Sequence, residues 1–175
     1  MIQIKNAAEL EKMRKACAIS AAALKAGGEA IEPGITTAEI DKIIYDFIVR
    51  HGARPNFLHL YGFPATACIS VNDTVIHGIP SRQQQIRPGD IVSIDTGCKI
   101  DGFNGDNACT YACGKIDLEA QRLLDVTKES LHRGIEMARG GNRVGDIGHA
   151  VQSYVEENGF SVVRSFVGHG VGKEL

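Results

Sequence analysis

Apolar residues return every third or fourth position in some stretches of the chain and alternate with polar ones in others. From about Ala7 to Ala26, Leu10, Met13, Cys17, Ala21 and Leu24 form a stripe that predicts a first helix. A second starts near Thr37, where Ile40, Ile43, Ile44, Phe47 and Ile48 share one face. Thr36 and Glu39 stand at capping-box spacing ahead of it, and Pro33-Gly34 makes the link a turn. Leu118 to Ala138 is a third long helical segment. Ala67 to Val71 alternates and is β-branched, so it predicts a strand. Ile91 to Lys99 and Phe103 to Cys113 are two more, joined around Asp101-Gly102, a favoured pair for a two-residue hairpin turn. Asn72-Asp73 and Arg87-Pro88-Gly89-Asp90 mark further turns.

Shifting the register by about 107 positions superposes one part of the pattern on another. Gly27 then falls on Gly134, Gly34 on Gly141 and Gly52 on Gly159, while Ile40, Ile44, Phe47 and Ile48 fall on Ile147, Val151, Tyr154 and Val155. This predicts one domain over residues 1–175 built from two copies of a helix–turn–helix–strand unit. The first copy covers about 1–113 and the second, incomplete, about 115–175. The expected class is α+β.

Totals narrow the function classes. At 175 residues, with 43% hydrophobic and 23% charged positions, the chain is expected to fold as one ordinary domain. A formal charge of −2 gives no global pull toward nucleic acid or membrane, and no apolar run is long enough to span a bilayer. Five cysteines at irregular spacing argue for reduced thiols rather than a disulfide framework.

The chemistry concentrates between Ile94 and Asp106. Asp95-Thr96-Gly97 is the triplet of an aspartic protease, in which two such loops hold one water. With one triplet here, that reading needs a homodimer, and the helices argue against it. Across the Asp101-Gly102 turn, Asp95 and Asp106 are an odd number of residues apart, so both carboxylates face one side, opposite or diagonal, with Cβ atoms about 4.5–8 Å apart. Two carboxylates on one face repel unless a proton or a cation joins them. A metal ion, or two, is the natural filler. Asp101 is left to the turn. His149 is assigned to helix packing.

Several segments together carry a family resemblance: Asn72 to Pro80 with His77-Gly78, Arg87-Pro88-Gly89-Asp90, Asp95 with Gly102-Phe103-Asn104-Gly105-Asp106, and Gly168-His169-Gly170-Val171-Gly172. In these the chain resembles the type 1 methionine aminopeptidases of the pita-bread fold. The resemblance implies a curved antiparallel sheet with helices on its outer face and a pseudo-two-fold repeat whose second half is incomplete here. It implies two divalent ions (Co, Mn, Fe or Zn) that activate a water, with Asp95 on one ion, Asp106 on both and His169 on the other. His77 would face the substrate and stabilise charge on the attacked carbonyl, and Phe63 and Cys68 would line the methionine pocket. The family often has a tyrosine where Leu60 stands. The implied activity is removal of the initiator methionine from nascent polypeptides in the cytoplasm, at the ribosome. No direct nucleic-acid or membrane contact is implied, and the full-length protein would be a monomer.

Family members carry two further glutamate ligands and a second histidine after the segment at His169. The chain is therefore expected to be the N-terminal two-thirds of a longer enzyme, with weak or no activity and poor metal binding alone. A non-catalytic or split pita-bread domain that binds a protein partner is the main alternative.

Overall fold

The computed structural model describes residues 3–175. In chain order the elements are α1 (Ala7–Glu29), α2 (Thr37–Arg50), β1 (Arg54–Pro55), a short 3-10 turn (Leu60–Gly62), β2 (Ala67–Val71), β3 (Ile91–Ile100), β4 (Phe103–Ala112), α3 (Leu118–Met137) and α4 (Val144–Glu157). The α+β expectation holds, and the sheet is antiparallel throughout. The chain divides into two compact units, Met1–Ile116 with Gly170–Leu175, and Asp117–His169. No helix among the described residues is long and apolar enough to cross a membrane.

In the first unit β3 is the central strand. β4 pairs with it along its whole length, from Ile91↔Ala112 to Ile100↔Phe103. The other edge of β3 takes β2 at Val92 to Thr96 and β1 at Cys98 and Lys99, so β1 and β2 lie end to end. Asp101 (φ 52°) and Gly102 (φ 83°) both have positive φ, as the two-residue hairpin turn requires. Asp101 also pairs with Lys15 of α1 at 2.7 Å, so its role is structural. At Arg87-Pro88-Gly89-Asp90 the Asp90 N–H donates to the Arg87 carbonyl, and its carboxylate accepts from the Arg87 N–H.

Alternation along the strands gives the sheet two faces. Ala67, Ile69, Val71, Val92, Ile94 and Cys98 join Ile40, Ile44 and Ile48 of α2 in the core, which makes this the helix-covered face. The α1 helix lies close on it. The Ser20 hydroxyl donates to the Thr96 carbonyl, and a Cβ on Gly105 would stand 2.5 Å from the Ala16 carbonyl. Here the sequence stripe needs correction. The buried face of α1 is Ala16, Ser20, Ala23, Leu24 and Gly27, whereas Leu10 is 40% exposed and Ala21 also faces out. A search for large apolar residues passes over a seam of small ones, yet only small ones let a helix approach a sheet this closely.

Both predicted capping-box residues of α2 are engaged: the Thr36 hydroxyl accepts from the Glu39 N–H, and the Glu39 carboxylate accepts from the Thr36 N–H. The same device opens α1 at Asn6 and Glu9, which the hydrophobic pattern did not single out.

The second unit is a helix pair. Gly134 of α3 lies against α4, where a Cβ would meet the Val151 methyl at 2.9 Å. Arg133 stacks over the Tyr154 ring at 3.9 Å. His149 is exposed and 3.4 Å from the Ser153 hydroxyl, so it does not pack between helices as expected. No strand follows α4 among the described residues.

Candidate metal centre

The face of the sheet away from α1 presents its side chains in rows, because directly paired residues share a face. Cys68, Asp95 and Ala108 form one row. The next runs through Gly97 to Asp106. Beyond the end of β1, the Asn56 N–H donates to the Gly97 carbonyl at 3.0 Å, which continues the β1 register and puts Asn56 in this second row. A third row is Arg54, Lys99 and Asn104.

Asp95 and Asp106 are therefore diagonal neighbours on one face, as their spacing predicts. Directly opposite residues would be Asp95 and Ala108, or Gly97 and Asp106. Gly97 and Ala108, on the other diagonal, bring little side chain of their own, and the Asn56 side chain lies over Gly97. The same pairing removes the aspartic-protease reading. Asp95-Thr96-Gly97 is not a loop but the middle of β3, hydrogen-bonded on both edges, with Thr96 fully buried.

The electrostatics fit a cation here. Cys68 is directly opposite Asp95, and its thiol is pushed up to about 12, first by burial and then by the negative charges of Asp95, Asp106 and Asp41. A neighbourhood this negative and partly desolvated favours a bound positive ion. The carboxylate oxygens are hard donors that suit a divalent metal. Among the described residues no three His, Cys, Asp or Glu side chains are gathered into a group that could hold a metal, so the two carboxylates are a partial donor set.

Other expected site residues are placed by neighbouring elements. Gly78 docks on the outer edge of β2, where its carbonyl accepts from the Ile69 N–H and its own N–H donates to the Ser70 hydroxyl. A Cβ on Gly78 would stand 2.1 Å from the Ile69 carbonyl, so glycine is required there. His77, just before it, is exposed and has φ of 60°. Phe63 closes the turn after Leu60 and is half-buried. His169 is the last residue of the second unit. The segment after it belongs to the first unit, where the Asn104 N–H and side-chain amide both donate to the Gly172 carbonyl.

Two contributors escaped the sequence reading. Asp41 of α2 accepts from the N–H groups of Thr66 and Ala67, which fixes the start of β2 just before Cys68. Burial raises the Asp41 titration above the usual carboxylate range, and the two N–H donors oppose that. Asn56 is the other. Its side-chain Nδ2 is buried without a hydrogen-bond partner, a condition that costs about 1–3 kcal/mol when nothing compensates it. A cleft of about 580 Å³ opens beside the second and third rows, lined by Asn56, Leu60, Lys99, Asn104 and Leu175 among others; the carboxylates lie beyond its lining.

Comparison with known proteins decides the family. The description of metallopeptidase family M24 matches residues 11–175. The chain belongs to metallopeptidase family M24. Over its whole length this M24 chain is 51% identical to a methionine aminopeptidase of Clostridium perfringens and spans 70% of that protein. It is 46% identical to methionine aminopeptidase 1 of Bacillus subtilis, again over 70% of the relative. The crystal structure of methionine aminopeptidase from Thermotoga maritima superposes with a TM-score of 0.97 at 40% identity, covering 99% of this M24 chain and 70% of the other. The fold is pita-bread, as the resemblance implied. Membership in M24 implies a divalent metal cofactor.

Proposed function

We propose that this chain is a metal-dependent aminopeptidase that removes the initiator methionine from nascent polypeptides in the cytoplasm. Asp95, Asp106 and His169 are proposed as ligands of two divalent ions, and His77, Phe63 and Cys68 as the residues that meet the substrate. The observation that carries the reading is the diagonal pair Asp95 and Asp106 on one face of the hairpin. The naming of the relatives as methionine aminopeptidases supports the substrate.

When bound, the ions would supply a water of lowered pKa and polarise the scissile carbonyl. The chain's residues do the rest. His77 donates an N–H to the oxygen on which charge develops. Phe63 and Cys68 shield the methionine side chain from water. The Cys68 thiol, at about 12, stays protonated at neutral pH and acts as a wall rather than a nucleophile. It is therefore expected to resist iodoacetamide at pH 8 while exposed Cys109 is alkylated, as peptide mass mapping would read.

The test is Mn2+ binding by the chain together with release of methionine from Met-Ala-Ser. Weak Mn2+ binding and slow release are expected of the chain alone, and both should be lost in Asp95→Asn and Asp106→Asn and in the presence of a chelator. Methionine release that survives the chelator would overturn the metal reading. Tight capture of a protein partner by metal-free chain, without hydrolysis, would favour a non-catalytic pita-bread domain.

A further inference from the structure

We propose that the cleft holding Arg54 and Lys99 is a subsite for the polypeptide downstream of its methionine, and that it selects substrates with Asp or Glu as third or fourth residue. The proposal rests on the reading above, with Asp95 and Asp106 at the metal and Cys68 at the methionine side chain. It starts from the rows of the open face. Cys68 and Asp95 lie in the first, Asp106 in the second, and Arg54, Lys99 and Asn104 in the third. A substrate with its methionine toward Cys68 and its scissile bond over the carboxylates has the third row on its far side. Rows are two residues, about 7 Å, apart along a strand, so the third lies about 10 Å from the middle of the carboxylate pair. An extended chain covers that distance in three residues. Counted from the cut bond, these are residues two to four, and the long Lys99 and Arg54 side chains reach back to the third.

The cleft of about 580 Å³ takes in the whole third row and continues past the β1 edge to Tyr45 and Val49 of α2. Its charged lining is Arg54 and Lys99, with His59 beside them; among the described residues it includes no Asp or Glu. The Arg54 guanidinium is exposed and has no ion pair or hydrogen-bond partner among the described residues. Lys99 Nζ donates to the Lys173 carbonyl at 2.8 Å, which anchors the ammonium and leaves it two further N–H bonds to give. Two cations side by side without a counter-charge repel, and a carboxylate between them relieves that. Tyr45, Val49 and Leu60 are 39%, 46% and 36% exposed, so the wall also offers apolar surface to the stem of a bound side chain. A recess with two charges suits one or two carboxylates. A nucleic-acid backbone needs a longer basic track, and the formal charge of −2 supplies no wider attraction.

The test uses the full chain, metal-free so that nothing is cleaved, and fluorescence anisotropy of peptides tagged at the carboxyl end. Met-Ala-Glu-Glu-Ser is expected to bind about fivefold more tightly than Met-Ala-Gln-Gln-Ser at low salt, and the difference should vanish by about 0.5 M NaCl. Arg54→Gln and Lys99→Gln should each shrink the preference, and Arg54→Glu should reverse it. Lys25→Gln, on α1 at the other face of the sheet, should leave it unchanged. Moving the two Glu to residues six and seven of a longer peptide should abolish it. Equal binding of the two peptides by wild type overturns the inference. So does a preference that survives both Arg54→Gln and Lys99→Gln, or one that follows the acidic pair to residues six and seven. Loss of Lys173 anchoring in Lys99→Gln does not blur the result, because exposed Arg54 supplies the charge reversal independently. A separate arm follows Mn2+ by the EPR signal of the free ion. Mn2+ held by wild type and not by Asp106→Ala keeps the metal-site reading whatever the peptides do; Mn2+ bound alike by both would overturn that reading, and the inference with it.

Discussion

In the first unit α1 meets α2 where Gly27 lies under Ile44; in the second α3 meets α4 where Gly134 lies under Val151. An added Cβ would stand 2.7 Å from the Ile44 side chain and 2.9 Å from that of Val151. The likeness extends outward. Gly34 and Gly141 have φ of 98° and 97°, and Gly52 and Gly159 have 71° and 79°. Each of these pairs is separated by the same sequence offset of about 107. Beyond the seam the two helix pairs part. Leu24 is 7% exposed and Leu131, at the matching position, is 58% exposed. A helix–helix seam needs only its two helices, so it recurs wherever the pattern recurs. Burial of a helix's remaining apolar face needs a further layer, which the sheet provides for α1.

Four measurements would break or sharpen this contrast. The largest effect is expected in the core: Ile44→Ala should cost about 2–5 kcal/mol in urea unfolding, since Ile44 is fully buried. Val151→Ala, half-buried, should cost less than half as much. Equal costs would show that the second seam is as tightly packed as the first. Next, Gly27→Ala should destabilise by about 1–3 kcal/mol, because Ile44 has no room to yield. Gly134→Ala should be near neutral, because Val151 can move and alanine favours helix by about 1 kcal/mol over glycine. Hydrogen exchange read separately in each helix would assign the loss.

Smaller is the cap. Thr36→Ala should cost about 1 kcal/mol. At the matching position Arg143 contributes only its N–H, bonded to Asp146, so Arg143→Ser should add about 0.5 kcal/mol to α4, read in the same exchange experiment. Smallest is acid sensitivity. Glu39 is held below the usual carboxylate range by its bonds with Thr36, and Glu9 by the Lys173 ammonium and the Asn6 N–H. With the folded value below the unfolded one, each charge stabilises the fold above about 4.5 and ceases to as pH falls through that region. The melting temperature of the first unit should therefore drop between pH 6 and pH 3.5, and less so in Glu39→Gln.

Much of this was legible from the chain itself. Strand alternation and the Asp-Gly turn were enough to aim Asp95 and Asp106 at one face, because hairpin register follows from loop length. The seam of α1 was not, because Ala16, Ser20 and Ala23 matter by being small, and hydropathy weighs size. Asn56 was invisible for a different reason. Its place depends on β1, only two residues long, pairing with the far half of β3. No local pattern signals such a short strand. Asp41 was missed because a carboxylate on an amphipathic helix normally belongs to the solvent face, and only the tertiary fold brings Thr66 and Ala67 to it.

The segment Gly170–Leu175 belongs to the first unit although the whole second unit precedes it in the chain. Lys173 pairs with Glu9 at 2.8 Å, and Lys99 donates to the Lys173 carbonyl. During synthesis the partners of these bonds emerge well apart in time. At about 5–20 residues per second, the residues Asp117–His169 hold this segment back for roughly 3–10 s after the hairpin is complete. For that interval the edge of β4 at Asn104 waits without its Gly172 acceptor. The unit whose synthesis begins first thus gains this segment only after all of the second unit has been made.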